Sequence, residues 1–347
     1  MTKNNSKDCL IYAKKPDSSA FVVTKKLGEV MKSTFLRALC ICYVLLILSC
    51  TTEENDDTQD RSTEPVVIEV TAKHDPKNNR HLFETDIDTV PAGWTTFRFV
   101  NASPMLHFLF LDHLPGDRTS KQLLSEISPI FQEAADLIAA GQSEEGMAKF
   151  AELPDWFNDL VFRGGPGFTS PGRTTEATLY LEPGNYVMEC YIKTADGIFH
   201  WNLGMYKDLR VTEEATNARP PKSPTVEITI TDQGLEVEGD LAPGKHLVAV
   251  HFEQETPALV AYDVHVVRLD EGVDIHEVAH WMDFLQPTGQ ISTAEDPAPA
   301  VFLGGVHEMP KGNTAYFEIE LAAGNYAWIS EQPAENATYT KFTVPAE

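Results

Sequence analysis

Between Tyr186 and Met205 the sequence reads YVMECYIKTADGIFHWNLGM, which places Cys190, His200 and Met205 in that order within sixteen residues. A thiolate, an imidazole and a thioether are soft or borderline donors of the kind that suit copper. A redox-active copper site of the blue type is built from two imidazoles and a thiolate near one plane, with a long, weak axial thioether. The stretch offers three of those four groups. Taken singly, each has an ordinary explanation: a buried thiol can be plain core, a histidine can sit on a surface loop, and a methionine can fill a gap. A second imidazole and a scaffold to hold it must come from elsewhere in the chain.

Cysteine usage narrows the role of Cys190. From Met31 the chain reads MKSTFLRALCICYVLLILSC, with Lys32 and Arg37 ahead of an apolar run from Ala38 to Leu48. That run is too short for a comfortable membrane span. It ends Ile47-Leu48-Ser49-Cys50, which resembles the lipobox of bacterial lipoproteins, whose cysteine is diacylated and becomes the first mature residue. An ordinary signal peptide or an anchor helix is the alternative. Residues 1–30 fit no targeting pattern, so translation is expected to begin at Met31, with residues 31–49 as signal peptide and Cys50 lipidated. Cys9, Cys40 and Cys42 fall before that point. Cys190 is then the one unlipidated thiol, and no intrachain disulfide can form in the mature chain. A lone thiol in an oxidising compartment is expected to be buried or coordinated.

Residues 50–65 (Thr51–Glu64 reads TTEENDDTQDRSTE) form an acidic tether free of apolar residues. Thr51, rather than Asp, follows Cys50, so the inner-membrane retention signal of enteric bacteria is missing. The expected location is the cell envelope, as an outer-membrane-anchored lipoprotein facing the periplasm or the cell surface. With 8 of the 27 basic and 3 of the 52 acidic residues lying before Cys50, the mature chain carries a net charge of −30. Such a chain does not bind nucleic acid. Its membrane contact is expected through the acyl chains alone, and its field would steer a basic partner.

The rest of the chain reads as strands with helical insertions. Val66–Ala72 and Trp94–Asn101 have strand character, the latter entered through a turn at residues 90–93 (Val-Pro-Ala-Gly). His107–Leu111 is a short inner strand: His107, Leu109, Leu111 and His113 share one face, Phe108 and Phe110 the other. Leu123, Leu124, Ile127, Ile130, Phe131, Ala134, Leu137 and Ile138 recur at helical spacing. Ser128-Pro129 reads as the cap and first residue of a second helix that stops at Gly141. A third helix is expected over residues 144–151. Strands resume over residues 177–181, 186–191 and 209–211, followed by a Pro-rich linker over residues 213–224.

The second half repeats the first. Val161-Phe162, Gly164-Gly165, Gly172, Thr174, Leu181 and Gly184-Asn185-Tyr186 recur 140 residues later as Val301-Phe302, Gly304-Gly305, Gly312, Thr314, Leu321 and Gly324-Asn325-Tyr326. Two homologous units in tandem are expected.

Three segments carry a family resemblance. Pro91-Ala92-Gly93-Trp94-Thr95-Thr96-Phe97-Arg98-Phe99-Val100-Asn101, then Pro183-Gly184-Asn185-Tyr186 leading to Cys190, then Asp196-Gly197 leading to His200 and Gly204-Met205, resemble the bacterial cupredoxins. The resemblance covers residues 66–212 and, more weakly, 225–347. It implies an all-β fold of two tandem Greek-key β-sandwiches with helical insertions. It also implies His107 as the first ligand by position, so that one type 1 copper would be held by His107, Cys190, His200 and Met205. The nine-residue loop between Cys190 and His200 is longer than in plastocyanins and azurins and close to that of copper nitrite reductases, which also end in His, four residues, Met.

In the second half Ser330 stands where Cys190 does, Tyr262 falls near the His107 position, and the loop after Ser330 has no His or Met. No blue copper is expected there. His276-Glu277-Val278-Ala279-His280 matches the zinc-protease helix pattern, with Glu295, Asp296 or His307 as a third ligand. The helix corresponds to the insertion of the first half and lacks the Gly and third His of metzincins, so this reading ranks last. His113, by a polar turn, is expected to be solvated. His74, His81, His246, His251 and His265 show no ligand spacing, and Phe199 and Trp201 beside His200 would exclude water, form a docking patch or simply pack. The expectation is an electron carrier with an unidentified redox partner protein, rather than an enzyme. The alternatives are a metal-free interaction module, or copper storage or delivery.

Overall fold

The computed structural model describes residues 63–254, 262–332 and 338–346. The signal peptide, Cys50 and nearly all of the acidic tether lie outside the described residues. Alternation of apolar and polar side chains makes the first strand, β1 (Val66–Asp75), turn Ile68, Val70 and Ala72 inward. A tight turn leads to β2 (Arg80–Glu84), which pairs antiparallel with it and sets His74 opposite His81. The long β3 (Thr89–Asn101) is shared between two sheets. Its residues 93–100 pair with β6 (Thr174–Leu181), and residues 89–92 pair with β8 (Tyr206–Ala215), with an irregularity in register at Pro91/Ala92. Pro91 has no N–H to give a ladder, and a bulge bends the strand from one sheet into the other. The expected turn at residues 90–93 is therefore a bend inside a strand. The linker expected from Glu213 likewise starts late, because β8 continues to Ala215.

The first half packs the sheet β2-β1-β3-β6 against β8-β7-β4-β5, where β4 is Phe110–Leu114, β5 Val161–Phe162 and β7 Gly184–Glu189. The second half has β9 (Val226–Thr231), β10 (Gly234–Gly239), β11 (Gly244–Phe252), β12 (Val264–Arg268), β13 (Val301–Val306), β14 (Thr314–Leu321), β15 (Gly324–Ile329) and β16 (Tyr339–Val344). Its sheets, β10-β9-β11-β14 and β16-β15-β12-β13, repeat the same ladder strand for strand. The fold is all-β, two sandwiches of matching strand order, with helical insertions.

The halves meet edge to edge. β6 and β14 pair antiparallel around Ala177↔Phe317, joining the two first sheets. Residues 164–170 also pair with 302–308 around Pro166↔Val306, through Gly167 N to Gly305 O (3.0 Å), His307 N to Gly165 O (3.2 Å) and Gly304 N to Phe168 O (3.0 Å). Each central pair is separated by the 140 residues of the repeat. Equivalent residues therefore face one another, as across the two-fold axis of a homodimer.

The main insertion follows β4. A capping box on Thr119 starts α1 (Ser120–Gln122), which runs through a widened π-turn at Leu123–Ile127 into α2 (Ser128–Ala139). Ser128 is not a cap: Ile127 before it is already helical, and the helix is continuous. Pro129 lacks an N–H and its ring crowds the carbonyl one turn back, so the preceding turn opens rather than breaks. The helix ends at Gly141 as expected, and α3 (Ser143–Lys149) folds back on it. In the second half α4 (Ile275–Met282) holds the equivalent place. Among the described residues no helix is long and apolar enough to cross a membrane.

Two glycines of the repeat are required by this packing. Gly165 and Gly305 have φ of 123° and 138°. A Cβ at either would overlap a carbonyl oxygen, Leu109 O or Val264 O, of the neighbouring strand. Gly165→Ala and Gly305→Ala are each expected to lower the unfolding free energy by about 2–4 kcal/mol, combining left-handed strain with a backbone clash. Urea denaturation of the two variants checks this.

Candidate metal centre

The histidine nearest the N-terminal end of the site is placed by the asparagine that closes β3. Asn101 is buried; its Nδ2 donates to Met105 O and Thr169 O (both 2.8 Å), and its Oδ1 accepts from Ser103 N (3.0 Å). This ties the loop 102–106 into a tight arc and delivers His107 to the core, where its backbone pairs with Thr169. Ser103 Oγ lies 2.9 Å from His107 Nε2, accepts from Met105 N and is directed at Met105 Sδ. With the Ser103 hydrogen directed at the sulfur, His107 Nε2–H can donate to Ser103 Oγ. The Nδ1 lone pair of His107 is left free, the arrangement by which an outer hydrogen bond orients a ligating imidazole.

That Nδ1 faces Cys190 and His200. Cys190 follows β7, its N–H bonded to Met205 O (3.3 Å). His200 opens a short 3₁₀ turn, His200–Leu203, with its N–H on Ile192 O (2.8 Å). Gly204 turns the chain back so that Met205 N reaches His200 O (3.0 Å). Both the insertion and the second half clamp the intervening loop. Gln132 of α2 accepts from Phe199 N (3.1 Å) and Asn202 Nδ2 (3.0 Å) and donates to Gly197 O (3.0 Å). Lys193 N bonds Gln290 O, and Lys193 Nζ donates to Phe284 O and Gln286 O. Ser292 Oγ accepts from Leu106 N beside His107.

The structure thus brings His107, Cys190, His200 and Met205 into one buried core. His107 Nδ1 lies 3.3 Å from His200 Nδ1 and 3.7 Å from Cys190 Sγ. An ion about 2.0 Å from each nitrogen and about 2.3 Å from sulfur, in a trigonal plane, would separate its donors by about 3.5 and 3.7 Å. The two distances from His107 Nδ1 fit such an ion. Burial pushes the Cys190 thiol up to about 12, although the Phe108 and Ile192 amides that donate to its sulfur oppose this. Burial likewise holds His107 and His200 well below the usual imidazole range. The imidazoles are neutral ligands already, while the thiol loses its proton only against a cation.

A third imidazole was missed in the sequence. The β1–β2 ladder lays His81 flat on His200, with ring centroids 3.8 Å apart and planes 12° apart, and half-buried His74 stacks on His81 at 4.8 Å. Donor atoms of His81, His107 and His200 lie within 4.8 Å of one another. Lone pairs of two parallel rings do not converge, so His81 covers His200 rather than joining it on one ion. Burial lowers His81 to about 4. The only hint in the sequence was a pair of histidines flanking a turn.

Other residues singled out by the sequence lie elsewhere. His113 is not solvated but half-buried, stacked on Tyr186 at 4.5 Å. Phe199 and Trp201 are buried against Phe131 and its neighbours in the insertion, which leaves no docking patch there. His276 and His280 project from the exposed face of α4, whose Ile275, Val278, Ala279 and Met282 are buried. Among the described residues they join no group of metal donors. Ser330 donates to Asp263 Oδ1 (3.0 Å).

No protein-family model matches the chain, and no curated protein is similar to it. Among solved structures, auracyanin A, a "blue" copper protein of Chloroflexus aurantiacus, is similar at 21% identity, covering 43% of this chain and 99% of its own, with a TM-score of 0.27. Reduced auracyanin of Roseiflexus castenholzii is 19% identical over 43% and 98%, with a TM-score of 0.25. The copper-containing nitrite reductase of Thermus scotoductus is 11% identical over 82% and 63%, with a TM-score of 0.21.

Behind the centre lie carboxyl groups with no access to water. Burial raises Asp112 to about 8, and burial together with nearby carboxylates raises Glu189, Glu308 and Glu331 well above the usual range. An unfolded aspartate loses its proton near pH 4. Between that value and about 8 the folded chain therefore holds more protons than the unfolded one, and stability falls as pH rises. The buried histidines act oppositely, but only below about pH 6.5, where unfolded imidazole is protonated. From pH 7 to 8 the acids are opposed by Lys193, which burial brings down to about 8. Asp112 by itself is expected to contribute a fall in stability of about 1 kcal/mol per pH unit, and Asp112→Asn to make the measured slope less negative by that amount in denaturant titrations.

Proposed function

We propose that this chain binds one copper ion through His107, Cys190, His200 and Met205 and passes single electrons in the cell envelope. In this reading it is held to the outer membrane by lipid on Cys50. The observation that carries the proposal is the convergence of two imidazole Nδ1 atoms and one thiol sulfur in a dry core, at 3.3 and 3.7 Å. Copper bound there would supply a one-electron Cu(II)/Cu(I) couple. The protein's part is to keep the donors still: Ser103 and Asn101 hold His107, Gln132 and Lys193 hold the loop that carries His200, and the Phe108 and Ile192 amides temper the charge on sulfur. Little then moves when the electron does. His81 and His74, stacked outward from His200, form the aromatic connection to solvent at which a redox partner would dock.

The test uses the soluble chain, residues 51–347. One equivalent of Cu(II) is expected to give an intense thiolate-to-copper absorption band and a narrow EPR hyperfine splitting. Both should be lost in Cys190→Ser. Met205→Leu should keep the band and raise the reduction potential, since the axial thioether stabilises the oxidised ion. Reversible reduction with copper retained separates an electron carrier from a storage protein, which would release it. A colourless chain without stoichiometric copper sinks the proposal.

A further inference from the structure

A second group of buried donors sits in the half without Cys190. One donor atom each of Asp263, His265, His307 and Glu331 lies within 4.8 Å of the others. All four residues are buried, the least so being Glu331 at 3% exposure. Three strand ends deliver them: Asp263 just before β12, with His265 on it, His307 just after β13, and Glu331 beyond β15. Phe108, Phe110 and Phe168 of the first half close over the two imidazoles, at 4.4–5.0 Å.

The hydrogen bonds divide these residues into two roles. Phe168 N–H donates to His265 Nδ1 (3.2 Å), so the ring proton sits on Nε2, which donates to Asp263 Oδ2 (2.8 Å). His265 therefore orients the carboxylate. Asp263 Oδ1 accepts from Ser330 Oγ and Glu331 N, leaving Oδ2 turned towards His307. Glu331 accepts from Gln290 Nε2 (2.6 Å) and Tyr191 Oη, which fix its position. His307 is different: fully buried, it has no hydrogen-bond partner on either ring nitrogen among the described residues. Its Nδ1 stops 3.8 Å from Asp263 Oδ2, too far for a hydrogen bond. Two donors that share one ion at about 2.1 Å stand about 3–4 Å apart.

We propose that Asp263, His307 and Glu331 bind one divalent first-row cation, with His265 holding Asp263 in place. One imidazole and two carboxylates suit zinc or manganese rather than the soft copper of a thiolate site. Two carboxylates also balance the ion's charge, which a dry core requires. The ion would cross-link the ends of β12, β13 and β15 against the first half and steady the halves' contact. It is independent of the Cys190 centre, whose donors it does not share.

The experiment refolds the soluble chain from denaturant with one equivalent of copper and excess zinc chloride, then desalts it and measures metals by mass spectrometry. One zinc per chain is expected, with a higher melting temperature than in the zinc-free refolded chain. Asp263→Asn and His307→Gln should lose that zinc and keep the copper band, while His276→Ala with His280→Ala should keep both. No bound zinc in the native chain overturns the proposal, as does zinc that persists in both single variants. If neither variant folds, zinc-edge X-ray absorption of the native chain decides. A nitrogen and oxygen shell with one imidazole supports the site, and a sulfur shell places the zinc at Cys190 and refutes it.

Discussion

A lone pair held in a dry core, facing one imidazole nitrogen and one thiol, is the constraint on which this structure depends. His107 Nδ1 points at His200 Nδ1 and at the Cys190 sulfur in a core closed to water. With the proton of His107 directed at Ser103, the metal-free chain can settle the pair with the Cys190 thiol hydrogen or by placing a proton of His200 between the two nitrogens. The latter leaves His200 Nε2 bare, and it is indeed without a partner among the described residues. An ion held by both Nδ1 atoms would reverse the arrangement, and Nε2 would stay dry under His81. The network around Asn101 is therefore more than local tidiness. By fixing one tautomer it decides where the electron density of the site points, before any ion arrives.

Holding that geometry explains why so much of the chain lies outside the minimal sandwich. The loop from Cys190 to His200 is long, and a long loop in isolation would sample many conformations. Its three anchors come from three different places: Gln132 on the inserted helix, Gln290 and the Phe284 and Gln286 carbonyls beyond α4, and the backbone of β7 and β8. Lys193, buried and brought down to about 8 by that burial, donates to carbonyls rather than to a carboxylate. The second half thus contributes to the first half's loop without lending a donor to it.

What could be read from the sequence follows the same division. Candidate donors that sit close together along the chain, Cys190, His200 and Met205, were legible from order and type, and the repeated glycines were legible because backbone sterics allow nothing else at Gly165 and Gly305. The β character and the tandem repeat were legible from strand alternation and the recurring residues, while the sandwich fold came from the family resemblance. Contacts that depend on strand pairing were not legible. His81 gains its place from a five-residue strand too short to show a period, and its partner His200 is far along the chain. His265 on β12 and His307 just after β13 are brought together by strand pairing rather than by spacing in the sequence. The π-turn before Pro129 was misread as a helix start because serine followed by proline is the usual signature of one.

The pseudo-two-fold between the halves gives these differences a common origin in position. Ser330 occupies the place of Cys190, Glu331 that of Tyr191, and His307 that of Gly167, each 140 residues on. One scaffold position therefore holds soft chemistry in one half and hard chemistry in the other. Tyr191 then meets Glu331 across the axis, so the residues that follow the two divergent positions touch. Changing the first half's loop disturbs the acid that faces it, and the reverse holds equally. The contact joins the two halves through a tyrosine hydroxyl and a carboxyl group, and in the metal-free chain burial and neighbouring carboxylates push both of these groups up.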